Sequence, residues 1–370
     1  MAPNKILALK LRSLGDTVVM SAPLLELRKA FPHAEIHVCV SNVWAEILEN
    51  HPAIDRLWKL RPTTADLIRM ARRLRKESFD VAINFHASSS SAILSRLTGA
   101  SSRAIHFHDL TKPNRFSTVK IDGKGTIKPI TERDMDAVRA LGIHISPGRL
   151  PVIYTTKQED DWAEKYIASH NSARPVLGIG LAASRPAKSW PVERFAALAA
   201  SWCKKTNGSV LALAGEDESD LMYKFLACSE RHPKEYSGSI SGNCSFSLRE
   251  LAAITKRLAV FVGNDSGPRH VAAAVGTPTI TIFGPEHPFE WHPYPSDKHP
   301  YLFIESLDCR RHAMAGMPKW CGVTHCTEKQ HKCMTLIGIE NVLAKCLLLS
   351  KECCSGELCE TSHNSGDNYI

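Results

Sequence analysis

The sequence predicts a two-domain α/β protein built on parallel sheets. Its 370 residues are more than one hydrophobic core usually organises, so the length favours two domains. Short apolar runs alternate with segments of helical apolar spacing, which is the pattern of parallel strands covered by helices. The composition, 44% hydrophobic and 23% charged, is typical of a globular chain and argues against a disordered or fibrous one.

The first alternating series occupies residues 5–107. It opens with an apolar run at 5–11 that leads into Ser-Leu-Gly-Asp at 13–16 and then into helical spacing over 17–31. Further strands are expected at 36–40, 57–60, 80–85 and 103–107, and helices near 43–50, at 64–76 and at 90–98. Since helices separate successive strands, the strands are expected to lie parallel in one sheet.

A second alternating series follows a break in this rhythm. The basic, turn-rich segment 109–130 predicts a loop, and a helix is expected at 131–141. Strands are then expected at 175–180, 209–214, 258–262 and 278–283, and helices from Pro191 and at 217–228, 247–256, 268–275 and 336–350.

The two lobes are expected to join near 150–174, between the two series. We therefore predict an N-terminal Rossmann-like domain at 1–155 and a C-terminal Rossmann-like domain at 156–350. Residues 351–370 are polar and rich in Gly and Ser, which predicts a disordered tail.

The net charge of +8 is concentrated in the first 150 residues. They contain 23 Lys and Arg against 14 Asp and Glu, a net charge of +9, whereas the remaining 220 residues have 23 against 24, or −1. A positive lobe suggests an anionic partner: nucleic acid, a phosphorylated substrate or a membrane surface. A basic surface that only confers solubility is the alternative. The chain lacks the aromatic-studded strands and recognition motifs of nucleic-acid binders, which argues against that class.

Neither a membrane span nor a signal peptide is predicted. The uncharged apolar stretch at 271–285 has about fifteen residues, with Gly and Pro inside it, against the roughly twenty that a span needs. Lys5, Lys10 and Arg12 interrupt the apolar run at the N-terminus. A cytoplasmic location is therefore expected, and the twelve cysteines are expected to be reduced thiols.

Two patterns imitate metal sites. Cys309, Cys321, Cys326 and Cys333 could bind zinc, but their spacing lacks paired C-x₂-C knuckles, so buried or surface thiols are favoured. Asp134-Met135-Asp136 imitates a DxD pair, but it lies in a helical pattern whose acids are expected to face solvent. No metal site is predicted.

Three junctions between strand and helix carry the chemistry, since ligands of open parallel sheets bind beyond the carboxyl ends of the strands. Asp16 ends the turn at 13–16, where it could stabilise the helix start or, in a cleft, accept a proton from a hydroxyl group. Ser184, Arg185 and Lys188 follow the strand at 175–180 and precede a helix, an arrangement suited to phosphate.

The third junction is Gly-Asn-Asp-Ser-Gly-Pro-Arg-His at 263–270. A strand there enters a Gly-containing turn and then a helix that opens at Pro268, whose free N–H groups favour a diphosphate. Neither GxGxxG nor GxxxxGK[ST] is present, which weakens a dehydrogenase or ATPase interpretation.

The motifs at these junctions resemble those of the ADP-heptose:lipopolysaccharide heptosyltransferases, glycosyltransferase family nine. They are SLGD, SRPAKSWPVERF, AGEDES at 214–219 and GNDSGPRHVAAAVGTPTITIFGP, and they occur in the family's order between about residues 5 and 345. The resemblance implies a GT-B architecture, in which two Rossmann-like lobes with parallel sheets face a central cleft. The first lobe would hold the acceptor and the second the nucleotide sugar. Arg269 departs from the apolar residue common at its place, which leaves the donor sugar open.

The resemblance also implies an activity and its residues. The activity would be metal-independent, inverting transfer of heptose from ADP-heptose to an anionic lipopolysaccharide core acceptor, without a cofactor. Asp16 would be the general base, and Lys188 would stabilise the leaving group. Donor binding would fall to Ser184, Arg185, Lys188, Glu218, Asp265, Ser266, Gly267 and His270. The positive charge of the first lobe and of the loop at 109–130 adds an expectation of its own: acceptor binding by Ser13, Arg69, Lys112, Lys120 and Lys124, with Arg72 and Arg73 as further cations.

The acceptor would be a phosphorylated, lipid-linked oligosaccharide met at the inner face of the cytoplasmic membrane. Two alternatives remain: a related transferase with another nucleotide sugar or acceptor, and a catalytically silent nucleotide-sugar-binding paralogue. Asp16 discriminates between enzyme and silent paralogue, since a sensor has no need for a cleft carboxylate.

Overall fold

The computed structural model describes residues 2–86, 88–106, 114–121, 127–232, 240–313 and 317–354. The internal contacts divide the chain into two compact units, Met1–Thr156 with Phe289–Pro293, and Lys157–Pro288 with Tyr294–Ile370. From residue 355 onward, the predicted tail lies outside the described residues, as do Lys112 and Lys124. Within the described residues, no helix is both long and apolar enough to cross a bilayer.

The first unit contains a five-stranded parallel sheet of order β3-β2-β1-β4-β5. Its strands are β1 (Lys5–Lys10), β2 (Glu35–Ser41), β3 (Arg56–Leu60), β4 (Val81–Asn84) and β5 (Ser102–Ile105). Its helices are α1 (Leu14–Val19), α2 (Ser21–Ala30), α3 (Thr64–Arg75), α4 (Ser89–Leu97) and α5 (Ile130–Arg139), with a 3-10 turn at Ala45–Leu48.

The second unit contains a six-stranded parallel sheet of order β11-β10-β9-β6-β7-β8. Its strands are β6 (Val176–Gly180), β7 (Ser209–Leu213), β8 (Ile240–Asn243), β9 (Val260–Asn264), β10 (Thr279–Ile282) and β11 (Tyr301–Leu302). Its helices are α6 (Lys157–His170), α7 (Val192–Thr206), α8 (Ser219–Ser229), α9 (Leu248–Thr255), α10 (Gly267–Ala274), α12 (Lys332–Thr335) and α13 (Ile339–Cys354). Helix α11 (Pro288–Trp291) lies largely in the short segment Phe289–Pro293, which belongs to the first unit.

The apolar runs of the sequence form the central strands of the two sheets. Because these strands are covered on both faces, nearly all of their side chains are apolar. Ile6, Leu7, Ala8 and Leu9 of β1 have no solvent exposure, as expected for a strand in the middle of a parallel sheet. In the second unit, β6 approaches its neighbour so closely that a Cβ on Gly180 would stand 2.7 Å from the ring of Phe261. Glycine at this position lets the aromatic ring pack over the end of the strand.

The predicted strands of both series are confirmed, but several elements differ from expectation. The single helix expected over 17–31 is two helices, α1 and α2, and the helix near 43–50 is a 3-10 turn. Helix α6 was expected to be part of the connection between the lobes. Helix α6 buries only Ala163 and Ile167, so most of its residues are polar. The helical spacing of apolar residues is therefore weak, and the sequence did not predict this helix.

Strands β8 and β11 were not predicted. Both are outer strands of the sheet, and their residues are half-buried or exposed rather than fully covered. Because an outer strand lacks a neighbour on one side, it needs no continuous apolar run and gives a weaker sequence signal.

Candidate active site

Three predicted site residues follow the strands at which the strand order of each sheet reverses. The reversal occurs between β1 and β4 in the first unit and between β6 and β9 in the second. Asp16 follows β1, Lys188 follows β6 and Asp265 follows β9. Since ligands of open α/β sheets bind outside the carboxyl ends of strands at such reversals, the local topology supports these positions as ligand sites.

The turn before α1 fixes the carboxylate of Asp16. Ser13 is the N-cap residue, and its hydroxyl accepts a hydrogen bond from the Asp16 amide at 3.3 Å while donating one to Asp16 Oδ2 at 2.7 Å. Ser13 has a φ of 37°, an unusual backbone conformation for a residue with a Cβ. The side chain of Asp16 remains 23% exposed. An oriented, solvent-accessible carboxylate of this kind can accept a proton.

A buried ion pair lies beside Asp16. The Lys10 ammonium, at the carboxyl end of β1, contacts Asp134 Oδ2 at 2.6 Å and lies 3.9 Å from Asp16 Oδ1. The Lys10 side chain is 2% exposed and that of Asp134 is 0% exposed. Burial raises the pKa of Asp134 to about 6, with the Lys10 ammonium acting in the opposite direction.

The expectation that the acids at 134 and 136 face solvent is wrong. Asp134 lies on the buried face of α5 together with Ile130, Met135 and Val138. Asp136 is half-buried and contacts Lys128 Nζ at 2.7 Å. The sequence interpretation missed the buried pair because Lys10 is 124 positions away in the chain.

In the second unit, Lys188 and Asp265 form one cluster with Arg269. The Lys188 ammonium contacts Asp265 Oδ2 at 2.6 Å, and Arg269 Nη2 contacts Asp265 Oδ1 at 2.6 Å. Asp265 and Arg269 are buried, whereas the Lys188 side chain is 11% exposed. Burial alone would raise the pKa of Asp265, but Arg269 and Lys188 together hold it well below its usual range.

Arg269 has a structural role that the sequence interpretation did not assign. It was noted only as a departure from the family motif. Its place on the first turn of α10, only four residues after Asp265, which directly precedes the N-cap residue, was the available signal.

Asn264, at the end of β9, clamps the loop that carries Lys188. Its amide nitrogen donates to the carbonyl of Leu181 at 2.8 Å, and its amide oxygen accepts from the backbone N–H of Trp190 at 2.9 Å. The segment between these two bonds contains the 3-10 turn Pro186–Lys188. The buried Asn264 side chain therefore fixes both ends of the Lys188 loop against β9.

The other residues of the third junction are sequence neighbours of Asp265 and Arg269. Ser266 is the N-cap residue of α10, and its buried hydroxyl has no hydrogen-bond partner among the described residues. Gly267 is the first residue of α10. His270 is buried, and its Nδ1 lies 2.7 Å from the hydroxyl of Tyr294, whose pKa is raised by burial. Ser266 thus retains the hydrogen-bonding capacity that a ligand could use.

The remaining donor-site candidates lie in different settings. Ser184 is exposed. Arg185 pairs with Glu286 and donates to the carbonyl of Gly322 at 3.1 Å, so its charge already has a counter-ion. Glu218 follows β7 rather than β6 or β9, and its carboxylate accepts from the Gly215 amide at 2.7 Å.

The acceptor-site candidates Ser13 and Arg69, both within the described residues, lie in different parts of the first unit. Ser13 lies beside Asp16, whereas Arg69 is on α3, after the outer strand β3, and pairs with Asp66. Arg69, Arg72, Arg73 and Lys76 line an open groove of about 490 Å³. Lys120 is exposed. Of the five candidates, Ser13, Arg69 and Lys120 lie within the described residues.

The four clustered cysteines line one small cavity of about 60 Å³ together with His331. They are free thiols, and burial raises the pKa of Cys333 to about 12. Among residues that the structure describes, no group of three or more His, Cys, Asp or Glu could hold a metal ion. This segment also supports the Lys188 turn, since His331 Nε2 donates to the carbonyl of Ala187 at 2.9 Å.

Comparisons with known proteins give the same family over most of the chain. A family model described as glycosyltransferase family 9 (heptosyltransferase) matches residues 67–316. Lipopolysaccharide heptosyltransferase 1 of Campylobacter coli is 27% identical over 298 residues, which cover 76% of this chain and 84% of that protein.

Two solved structures share the fold. The glycosyl transferase family 9 structure from Veillonella parvula has a TM-score of 0.76 at 23% identity and covers 94% of this chain and 98% of its own. The structure of E. coli ADP-heptose lps heptosyltransferase II has a TM-score of 0.75 at 19% identity, covering 94% of this chain and 99% of its own.

These findings confirm the predicted fold class, because both structural neighbours are family 9 enzymes of GT-B architecture and the two parallel sheets agree with it. The family model spans well over half of the chain. The resemblance seen in the motifs is therefore confirmed, and this chain belongs to glycosyltransferase family 9, the heptosyltransferases.

Proposed function

We propose that this protein transfers a heptose from ADP-heptose to a hydroxyl group of a phosphorylated lipopolysaccharide core acceptor, with inversion at the anomeric carbon. The donor and acceptor classes follow those printed for the similar heptosyltransferases. The observation that carries the proposal is the Lys188–Asp265–Arg269 cluster at the end of β6 and β9. Its two cations share one carboxylate, so it has positive charge to offer a diphosphate.

The reaction is a single displacement. Asp16 takes the proton of the acceptor hydroxyl, and the acceptor oxygen forms a bond to the anomeric carbon. The bond from that carbon to the diphosphate oxygen breaks, and its electron pair leaves with ADP. The partly exposed Lys188 ammonium stabilises the negative charge that develops on the diphosphate. The proposed mechanism relies on Asp16 and Lys188 rather than on a metal ion or cofactor.

Donor recognition in this proposal combines charge with hydrogen bonds. Lys188 and the N-terminal turn of α10, with the unpartnered Ser266 hydroxyl, would bind the diphosphate. Asp265 acts indirectly, since its carboxylate fixes Lys188 and Arg269. Ser184, Arg185, Glu218, Gly267 and His270 complete the proposed donor-site set.

The proposed acceptor site lies in the basic first unit. Ser13 orients Asp16, and the cations Arg69, Lys112, Lys120 and Lys124 would attract acceptor phosphates. We place the enzyme in the cytoplasm, in peripheral contact with the inner face of the membrane that holds the lipid-linked acceptor.

Incubation with ADP-heptose and deacylated core oligosaccharides tests the proposal. Mass spectrometry should detect one added heptose, NMR should show an inverted anomeric centre, and EDTA should leave the rate unchanged. Matched acceptors with and without phosphate test the anionic requirement. Transfer from a different nucleotide sugar would indicate the related-transferase alternative. Binding of ADP-heptose without any transfer would indicate a silent paralogue.

A further inference from the structure

Two carboxylates share one buried ammonium group in the first unit. Lys10 Nζ lies 2.6 Å from Asp134 Oδ2 and 3.9 Å from Asp16 Oδ1. Lys10 therefore forms a direct ion pair with Asp134 and a longer one with Asp16. The proposed mechanism uses Asp16 but gives no role to Asp134, although a fully buried carboxylate is costly to keep.

The reaction changes the charge beside Lys10. Before proton transfer, the ammonium has two negative neighbours. When the acceptor proton passes to Asp16, that carboxyl group becomes neutral and only Asp134 still compensates Lys10. Without Asp134, each protonation of Asp16 would leave a buried cation unpaired, which is strongly unfavourable. Lys10 would instead form its ion pair with the Asp16 carboxylate and make it a weaker base.

We infer that Asp134 is a positioning residue that retains the Lys10 ammonium in a permanent ion pair, so that the Asp16 carboxylate can gain and lose a proton. This inference rests on the proposed function, in which Asp16 is the general base. The Asp16 base then lies beside a cation, Lys10, whose charge the buried Asp134 carboxylate already neutralises.

The surroundings of Asp134 favour this role over a general one in packing. The charged groups that act on Asp134 are Lys10 from β1, Asp16 from α1 and Arg133 from its own helix. Arg133 is engaged elsewhere, because its Nη1 contacts Glu290 Oε1 at 2.8 Å. The other oxygen of Asp134, Oδ1, has no hydrogen-bond partner among the described residues. Lys10 is therefore the direct counter-ion in contact with Asp134.

Asp134→Asn tests the inference, and Asp136→Asn is the matched control on the same helix. Asn keeps the size of Asp134 but removes its charge, so Lys10 should turn to Asp16. We expect kcat to fall about tenfold or more, and the acidic limb of the kcat/KM profile to move about one unit towards lower pH. ADP affinity should not change. Asp136 contacts Lys128 and Arg139 instead, so its variant should keep the wild-type profile.

A second variant separates charge from packing. In Lys10→Met/Asp134→Asn, the cation and its counter-ion are removed together, so no unpaired buried charge remains. We expect this variant to regain thermal stability relative to Asp134→Asn and to return the acidic limb towards its wild-type position. An NMR titration of the Asp16 carboxyl carbon in the free enzyme makes the same comparison without an activity measurement. The midpoint of this titration should move to lower pH in Asp134→Asn and return towards the wild-type value in the double variant.

The inference is wrong if Asp134→Asn gives the rate profile and the Asp16 titration of Asp136→Asn, or if the double variant keeps the shifted midpoint. The proposed function fails by a different result, namely no transfer by the wild-type enzyme or full activity of Asp16→Asn. The NMR titration decides the Asp134 question in either case.

Discussion

The carboxyl ends of the two sheets hold charge clusters of opposite composition. In the first unit, one ammonium from Lys10 faces two carboxylates, Asp16 and Asp134. In the second, one carboxylate from Asp265 faces two cations, Lys188 and Arg269. The first cluster has a surplus of negative charge and suits a proton acceptor, whereas the second has a surplus of positive charge and suits a phosphate group.

The charged groups around each buried carboxyl group set the direction in which its pKa departs from the usual value. Asp134 and Asp265 are both buried. Burial raises the pKa of Asp134 to about 6, since Lys10 and Arg133 do not offset the loss of solvent and the nearby Asp16 acts in the same direction as burial. Burial also acts to raise the pKa of Asp265, but Arg269 and Lys188 hold it well below its usual range. Composition of the cluster thus matters more than burial alone.

Asp265→Asn should have the largest effect, because it removes the buried carboxylate that the buried Arg269 and the partly exposed Lys188 share. We expect the free energy of unfolding at pH 7 to fall by about 3–5 kcal/mol. A carboxyl group whose folded pKa is lowered stabilises the protein above its unfolded pKa. Its contribution therefore begins to decrease as the pH falls below about 4 and is lost only at the much lower folded pKa, so the difference between the two proteins should be smaller at pH 3 than at pH 7 without disappearing. Urea unfolding at pH 7 and at pH 3 measures this.

Asp160→Asn is the matched control for that measurement. Asp160 contacts Lys256 Nζ at 2.8 Å in an ion pair that is partly exposed, so its removal should cost about 0–1 kcal/mol. Equal losses in the two variants would contradict the special position of Asp265.

Asp16→Asn tests the negative cluster. The amide can still interact with Ser13 and remain in the first turn of α1, but it cannot accept the acceptor proton. We expect kcat to fall about a hundredfold or more, with ADP binding retained. Glu250→Gln, at the first turn of α9 with a serine cap of its own, controls for loss of a capping acid. Turnover within a few-fold of wild type would show that Asp16 only stabilises its helix.

Lys188→Ala tests the positive cluster at its exposed member. Loss of a charged contact to the diphosphate should weaken ADP binding by about tenfold or more and slow turnover as well. Isothermal calorimetry with ADP measures the first effect. Lys224→Ala removes a surface lysine of the same unit that pairs with Glu193 at 2.8 Å, and should leave both unchanged. Unaltered ADP affinity in Lys188→Ala would show that Lys188 forms its ion pair with Asp265 but does not bind the diphosphate.

Local sequence patterns predicted the parts of this protein that depend on neighbours in the chain. The central strands follow from continuous apolar runs such as the one in β1. Asp16 and Lys188 were predicted because each follows such a strand, whereas Asp265 was assigned through the resemblance of its motif to the family. Helix α6 was missed because its buried face is small.

The partners that give these residues their charge environment could not be predicted locally. Lys10 lies inside an apolar run and meets Asp134 only through the packing of α5 against the sheet. Likewise, Asn264 joins β9 to the Lys188 loop through bonds to Leu181 and Trp190 that span more than seventy positions. Such pairings are set by tertiary structure, which periodicity and motif spacing do not encode.

The smallest expected effect concerns the basic surface of the first unit, where the net charge of residues 1–150 is +9. Replacing Lys112, Lys120 and Lys124 by Ala should raise the acceptor KM about two- to fivefold at low salt, because long-range attraction of acceptor phosphates is lost. Screening over a Debye length of about 10 Å at 0.1 M should reduce that difference, while the donor KM changes less. The matched variant Arg72→Ala/Lys76→Ala removes cations from the α3 groove instead. One informative result is that the lysine variant keeps the wild-type acceptor KM and salt dependence while the α3 variant has a higher acceptor KM and a weaker salt dependence. That result would show that the α3 groove, rather than the loop at 109–130, attracts the acceptor. If neither variant changes them, the positive charge of this unit serves solubility or membrane proximity instead.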